Sequence, residues 1–225
     1  MSIYLKFDLS LDKHTLRQEL DFCLKELWVS HFNQNDYEGQ WNCIALRSKS
    51  GQITDILPIF TEQPYRDTSL MDRLPYTKSV LDSIPGVKES VRYMALYPGA
   101  VIKPHRDRGC NYEDGVYRIH IPIQTNDGVE FYVDDQRLFL KEGECWYINF
   151  DKVHHIHNRG KEVRVHLVID GLRTAETDVW FNQQGYREVK KPKYDEATKK
   201  AMIAQLELLD TDTARQLIDQ LREET

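Results

Sequence analysis

The chain has 225 residues, 40% of them hydrophobic and 29% charged, with 30 Lys and Arg against 36 Asp and Glu for a net charge of −6. That is enough chain for one sizeable core with appendages, and its acidic balance offers phosphate backbones and anionic lipid no general attraction. The N-terminus lacks a basic segment followed by an apolar one, and no run approaches the roughly 18 apolar residues of a membrane span. The expectation is a cytoplasmic protein with neither a nucleic-acid nor a membrane partner.

Residues 12–28 place Leu16, Leu20, Cys23, Leu24, Leu27 and Trp28 at helical spacing behind Asp12, a good N-cap, and predict one amphipathic helix. From Trp41 the period changes. The segments WNCIALRS, DILPIF, RYMALYP, YRIHIPIQ, VEFYVD, RLFLKE, CWYINF and VRVHLVID are short, rich in β-branched and aromatic residues, and parted by Gly, Asp, Asn or Pro. They predict a β-sandwich or barrel. A helical stretch over 77–84 interrupts them and stops at Pro85-Gly86. After Asp170 the pattern gives way to a polar segment, and the cluster Lys190-Lys191-Pro192-Lys193 reads as a linker. Residues 195–209 and 211–222 then read as two helices, the second capped by Thr211 or Asp212 with Ala214, Leu217, Ile218 and Leu221 on one face. The predicted organisation is a β core with an N-terminal helix over 1–185 and a helical extension over 186–225. Packing on the β core is the simplest account of the extension; a homodimer contact or a lid over a site competes with it.

Cys23, Cys43, Cys110 and Cys145 contain no CxxC pair and read as reduced, packed thiols. The histidines are more informative, because His105, His120, His154, His155 and His157 cluster, with His166 just beyond. In YPGAVIKPHRD, His105 and Asp107 stand two apart at the end of an expected strand, so alternation points both to one face. A third ligand from another strand would complete a facial set of two histidines and one carboxylate, which leaves coordination positions open as non-haem Fe(II) oxygenases require. The third ligand comes from Val153-His154-His155-Ile156-His157-Asn158, where alternation separates His154 from His155 and His157 without saying which face is inward.

The following strand, Val163–Asp170, returns after a turn at 158–161, so Arg164 can lie close to the metal, where a guanidinium suits the far carboxylate of a dicarboxylate co-substrate. A surface cross-strand ion pair is the competing reading, which the face carrying Arg164, His166 and Val168 within an apolar segment disfavours. On Tyr117–Ile123, Arg118 and His120 share one face and Ile119, Ile121 and Ile123 the other. An inward Arg118 needs an anionic partner; if the isoleucines face the core instead, both polar residues face water.

These segments resemble the aspartyl/asparaginyl β-hydroxylase family of Fe(II)/2-oxoglutarate-dependent oxygenases, which includes bacterial hydroxylases of free proline. The resemblance is strongest over residues 85–170. YPGAVIKPHRD is similar to the family's Pro-Gly…His-x-Asp strand and YRIHIPI to its Arg-x-His strand, and NFDKVHHIHNRGKEVRVHLVID to its distal block, where the metal histidine precedes an Asn or Gln by four residues and an Arg by ten. His154 fits both spacings, with Asn158 and Arg164 in place. The resemblance implies a mainly β fold, a double-stranded β-helix (the cupin-like jelly roll), with N- and C-terminal helices. It implies iron on His105, Asp107 and His154, and 2-oxoglutarate held by Arg164 with Arg118 and His120 as further contacts. The carboxylate ligand sets this chain apart from the animal peptide hydroxylases of the family, and the loop from Arg108 to Gly115 is longer than theirs.

The function expected on these grounds is an O2-consuming dioxygenase. It hydroxylates an unactivated C–H bond of an amino acid, free and proline-like or other, while 2-oxoglutarate is decarboxylated to succinate. Arg106 and Arg108 are candidate contacts to a substrate carboxylate, and Asn111, Tyr112 and Glu113 a candidate lid. Two alternatives stand beside it: hydroxylation of Asp, Asn or another residue within a peptide, and a non-catalytic cupin-like metal-binding protein.

Overall fold

Alternation puts Ile119, Ile121 and Ile123 on one face of their strand and Arg118 and His120 on the other, and the fold covers both faces. The computed structural model describes residues 3–59, 64–188 and 194–223, and the chain forms two units, Met1–Arg187 and Glu188–Thr225. In chain order the first carries β1 (Tyr4–Phe7), α1 (Lys13–Cys23), β2 (Val29–Ser30), β3 (Tyr37–Glu38), β4 (Trp41–Ser48), β5 (Arg66–Asp67), α2 (Pro75–Ser83) and β6 (Lys88–Leu96). There follow β7 (Val101–His105), β8 (Val116–Gln124), β9 (Val129–Val133), β10 (Gln136–Leu138), β11 (Cys145–Ile148), β12 (His154–Asn158), β13 (Arg164–Leu172) and α3 (Ala175–Gln183).

Two antiparallel sheets form, β1-β11-β8-β13-β6-β4-β2 with β5 on β4, and β10-β9-β12-β7-β3. From β6 to β13 the chain divides its strands between the two sheets, β6, β8, β11 and β13 in the larger and β7, β9, β10 and β12 in the smaller. That is a double-stranded β-helix. The outer face of the larger sheet packs its isoleucines with Val165, Leu167 and Ile169 against Leu16 and Leu20 of α1, Val80 of α2 and Phe181 of α3. Its inner face meets the smaller sheet over a second core that includes Met94, Ile102, Phe131, Val133 and Ile156. Because both faces are dry, the polar residues opposite the isoleucines turn into the space between the sheets rather than into water.

Local chemistry sets the element ends. Asp12 accepts from the amides of His14 and Thr15 and starts α1. The helix stops at Cys23, short of the predicted 28, where the Trp28 indole N–H donates to the Cys23 carbonyl at 2.8 Å. Glu19 of α1, buried, accepts from the amides of Tyr76 and Thr77 at 2.7 Å each and so caps α2.

Three expectations need correction. DILPIF forms no strand over its described residues: Ile56 is buried, but Pro58 has no N–H to give a ladder, and Phe60 lies outside the described residues. The polar stretch after Asp170 instead continues β13 to Leu172 and then forms α3, whose Thr174 accepts from the Thr177 amide in a reciprocal cap. The segment Tyr4–Phe7, not anticipated, pairs with β11. The Lys190–Lys193 linker falls outside the described residues.

The second unit is a helical pair, α4 (Glu196–Glu207) and α5 (Asp212–Glu223). Asp195 caps α4, and the Thr211 hydroxyl, rather than Asp212, accepts from the Ala214 amide at the start of α5. Ala214, Ile218 and Leu221 are buried, whereas Leu217 is exposed. No helix among the described residues is long and apolar enough to cross a membrane.

Candidate metal centre

β7 and β12 are antiparallel neighbours, and His105 lies opposite His154 in their register. The rings stand 4.2 Å apart between centroids. Asp107, two residues past His105, is held by its own amide, which donates to the Phe150 carbonyl at 2.9 Å. Donor atoms of His105, Asp107 and His154 all lie within 4.8 Å of one another, close enough to share one ion. Strand alternation buries His154, Ile156 and Asn158 and leaves His155 and His157 on the outer face, where His155 stacks on Tyr132 at 4.8 Å.

The imidazoles are arranged for ligation. Nδ1 of His105 faces the Lys103 carbonyl at 2.7 Å and Nδ1 of His154 the Lys152 carbonyl at 3.0 Å. A carbonyl only accepts, so both Nδ1 atoms carry the proton and both Nε2 lone pairs are free for a metal. Burial, aided by the neighbouring His105, pushes His154 down to about 4, so it is neutral at physiological pH. Burial by itself would raise Asp107, but the Arg118 guanidinium and the two imidazoles outweigh it and hold the carboxyl below its ordinary value.

Arg118 finds the anionic partners an inward arginine needs, and they are protein carboxylates. Nη1 donates to Asp107, and Nε to Asp170 Oδ1 at 2.6 Å. Asp170 is itself fully buried and also accepts from Arg92 Nη2 at 2.5 Å. Arg118 is therefore engaged as a brace on Asp107, the carboxylate of the candidate metal centre. His120 is buried, stacked on Phe150 at 4.8 Å, with Nδ1 3.1 Å from Nδ1 of His166 and Nε2 without a partner.

Arg164 differs from the other inward arginines. It is 2% exposed, sits 5.7 Å from the Phe131 ring centre, and donates from Nη2 to His166 Nδ1 at 2.8 Å. Its Nε is orphaned, and among the described residues it makes no ion pair with a carboxylate. Burial pulls it down to about 9, which still leaves it charged at neutral pH. A desolvated guanidinium without an anion is expensive unless a ligand supplies one.

The three donor residues, Arg118, His120 and Arg164 line one cavity of about 230 Å³. Its outer wall includes His31, stacked on Trp41 at 3.6 Å, and the exposed Phe32. Arg108 reaches this lining, whereas Arg106 is exposed and does not. The expected lid is not one: Tyr112 is buried, stacked on Phe181 at 3.9 Å, with its hydroxyl 2.8 Å from Thr177 Oγ1, and Asn111 is buried beside it. Its aromatic ring gains more from the helical core than from solvent. Sequence reasoning missed Asp170, Arg92 and the role of His166. The signal for two of them was present, since Arg164, His166 and Asp170 lie on the same face of β13 as alternate polar residues in an apolar run.

The chain is 26% identical over 175 residues to the L-proline cis-4-hydroxylase of Rhizobium meliloti (strain 1021), covering 75% of this chain and 60% of that protein. It is 24% identical over 166 residues to L-proline cis-3-hydroxylase 1 of a Streptomyces species, covering 72% and 57%. The chain thus spans at most 60% of the length of these relatives. Among solved structures it is similar to a 2OG-Fe(II) oxygenase family oxidoreductase from Burkholderia pseudomallei, with a TM-score of 0.49 and 12% identity over 72% of this chain and 81% of that one. A Pseudomonas putida prolyl-4-hydroxylase gives a TM-score of 0.46 and 13% identity over 77% and 94%. The family model for aspartyl/asparaginyl β-hydroxylases matches residues 11–174, which takes in His105, Asp107, His154 and Arg164, and the chain belongs to that family.

Proposed function

We propose that this chain is an Fe(II)/2-oxoglutarate-dependent dioxygenase that hydroxylates an unactivated C–H bond of a free amino acid, proline or one of similar size. The observation that carries this reading is Arg164, a buried cation without a carboxylate partner among the described residues, opening on the same cavity as a two-histidine, one-carboxylate triad. His105, Asp107 and His154 would hold Fe(II) on one side and leave the opposite side open for co-substrate and dioxygen. Arg164 would supply the counter-charge to the far carboxylate of 2-oxoglutarate. Once bound, iron and co-substrate supply the oxidising power, with succinate and carbon dioxide as by-products.

The protein's part is positional. The Lys103 and Lys152 carbonyls hold the ligand imidazoles in one tautomer, and Arg118 keeps Asp107 ionised and oriented. Phe150, Ile156 and Met94 keep the cavity walls apolar, and His31 with Trp41 forms an aromatic wall on which a compact ring or aliphatic chain can lie. A volume of about 230 Å³ suits small ligands. The curated relatives are named as hydroxylases of L-proline, which supports the same substrate class. All four cysteines are free and buried, in keeping with a cytoplasmic setting.

The test is to load the chain with Fe(II) and 2-oxoglutarate without oxygen, record the visible charge-transfer band, then admit air with a panel of amino acids and short peptides. Succinate release coupled to the gain of one oxygen atom by a free amino acid is expected. A band with turnover of peptides alone would remove the free-amino-acid assignment, and the absence of both band and succinate would remove the oxygenase.

A further inference from the structure

Two charged side chains in the lining of the candidate site have no counter-charge. Of the arginines there, Arg92 and Arg118 meet Asp170 or Asp107, and Arg164 faces the co-substrate in the reading above. Asp107 belongs to the candidate metal centre. That leaves one anion, Asp36, and one cation, Arg108. Asp36 accepts from the neutral side-chain amide of Asn33, and among the described residues neither it nor Arg108 makes an ion pair, with each other or with any third group.

Both charges are carried by backbone tied to β7, the strand of His105. Asp36 ends a short turn over Gln34–Asp36, and the next residue, Tyr37, lies opposite Ile102 in the register of β3 and β7. The turn is steadied at its start, where the Asn33 amide donates to His31 Nδ1 at 3.4 Å and the His31 ring stacks on Trp41. Arg108 directly follows Asp107. Its turn is closed by the Cys110 amide, which donates to the Asp107 carbonyl at 3.0 Å, and by the Gly109 amide, which donates to Asp151 Oδ1 at 3.1 Å. Trp41, in the same lining and 7% exposed, adds an indole N–H without a partner, a costly arrangement unless a ligand accepts from it.

We propose that Asp36 and Arg108 act as a specificity-determining pair, Asp36 taking the α-ammonium and Arg108 the α-carboxylate of a free amino acid. The proposal rests on the free-amino-acid reading and deepens it, because it names the charges that impose the preference. Each contact is a charge-assisted hydrogen bond. A residue inside a peptide carries neither charge and a terminal residue only one, so a peptide leaves Asp36, Arg108 or both desolvated without a partner. A zwitterion satisfies both, and that difference is what discriminates.

The test uses the full chain and three probes of one shape: L-proline, L-prolinamide, which lacks the carboxylate, and cyclopentanecarboxylate, which lacks the ammonium. Affinity is read by calorimetry on the chain loaded with Zn(II) and 2-oxoglutarate, and KM and kcat by succinate release with Fe(II) in air. The parent should bind L-proline about tenfold or more tightly than either analogue. Asp36→Asn should weaken L-proline about tenfold and leave cyclopentanecarboxylate unchanged, whereas Arg108→Gln should weaken L-proline about tenfold and leave L-prolinamide unchanged. KM should carry the loss, with kcat within about threefold of the parent. Asp36 is half-buried and Arg108 exposed, so neither substitution disturbs the core. Should L-proline not bind, the same three forms of whichever standard amino acid drives succinate release replace it. Hydroxylation of a free amino acid with equal affinity for all three forms, or with unchanged variants, overturns the pair and leaves the free-amino-acid reading standing. Turnover of peptides alone, or of neither class, removes the reading and the pair together.

Discussion

Asp170 is the anchor on which Asp107, the carboxylate of the candidate metal centre, depends through Arg118, and replacing it with Asn exposes that dependence. Its side chain is 1% exposed and accepts from Arg92 at 2.5 Å and Arg118 at 2.6 Å, so one buried negative charge serves two guanidinium groups. Asp170→Asn keeps the shape but removes the charge, leaving Arg92 and Arg118 to share a neutral oxygen. Breaking a buried pair from one side costs about 3–5 kcal/mol, because the surviving charge stays desolvated. For a folded unit of this size that corresponds to a fall in Tm of about 6–20 °C. Arg118 also loses the partner that orients it toward Asp107, so metal affinity should drop about tenfold, in the range for outer partners of metal ligands. Urea unfolding and thermal melts read the first effect, and Co(II) titration reads the second. A stability loss below about 1 kcal/mol, the scale of a surface pair, would refute the reasoning.

Three further outcomes are expected. Alanine at His105, Asp107 or His154 should each weaken Co(II) binding by more than about a hundredfold, while His155→Ala leaves it unchanged; parallel calorimetric titrations decide this. Acid should destabilise the fold through histidines that are buried neutral. His31 is pushed down to about 3 and His154 to about 4, in both cases by burial first, whereas the unfolded chain protonates them near the ordinary value. Their stabilising contribution is complete above about pH 6.5 and is lost as pH falls, at about 1.4 kcal/mol per unit for each, until the folded-state values are reached. Urea midpoints for the metal-free chain between about pH 7 and about pH 5 should decline accordingly, and a flat profile would contradict the assignment. Gly171→Ala would place a Cβ 2.2 Å from the buried Tyr117 ring, and should cost about 1–3 kcal/mol in chemical denaturation.

Much of the architecture was legible in the amino-acid order, because period-two runs of β-branched and aromatic residues have few alternatives to strands. The cap at Asp12, the His-x-Asp strand and the paired polar residues on Arg118–His120 and Arg164–His166 could be read directly, since each depends on spacing of a few residues. The run DILPIF shows the limit of that reading: its composition fits a strand, but without an N–H at Pro58 and a neighbour to bond, it folds as loop. Helix α3 shows the reverse, a polar sequence made helical by a Thr174 cap and the burial of Phe181.

The choice that spacing left open, which faces point inward, was settled only by long-range packing. Ile119 and its partners go to the helices, and that forces Arg118 and His120 between the sheets because the larger sheet has no wet side. His154 is inward because β12 pairs on both sides, with β7 and β9, and its alternate residues join the inner core. Which inward arginine keeps a protein carboxylate and which does not depends on Asp170 reaching Arg92 and Arg118, with no such ion pair for Arg164 among the described residues. Local sequence sets what each side chain can do, but charge pairing across a core is decided by distance in space, and only the tertiary structure fixes that.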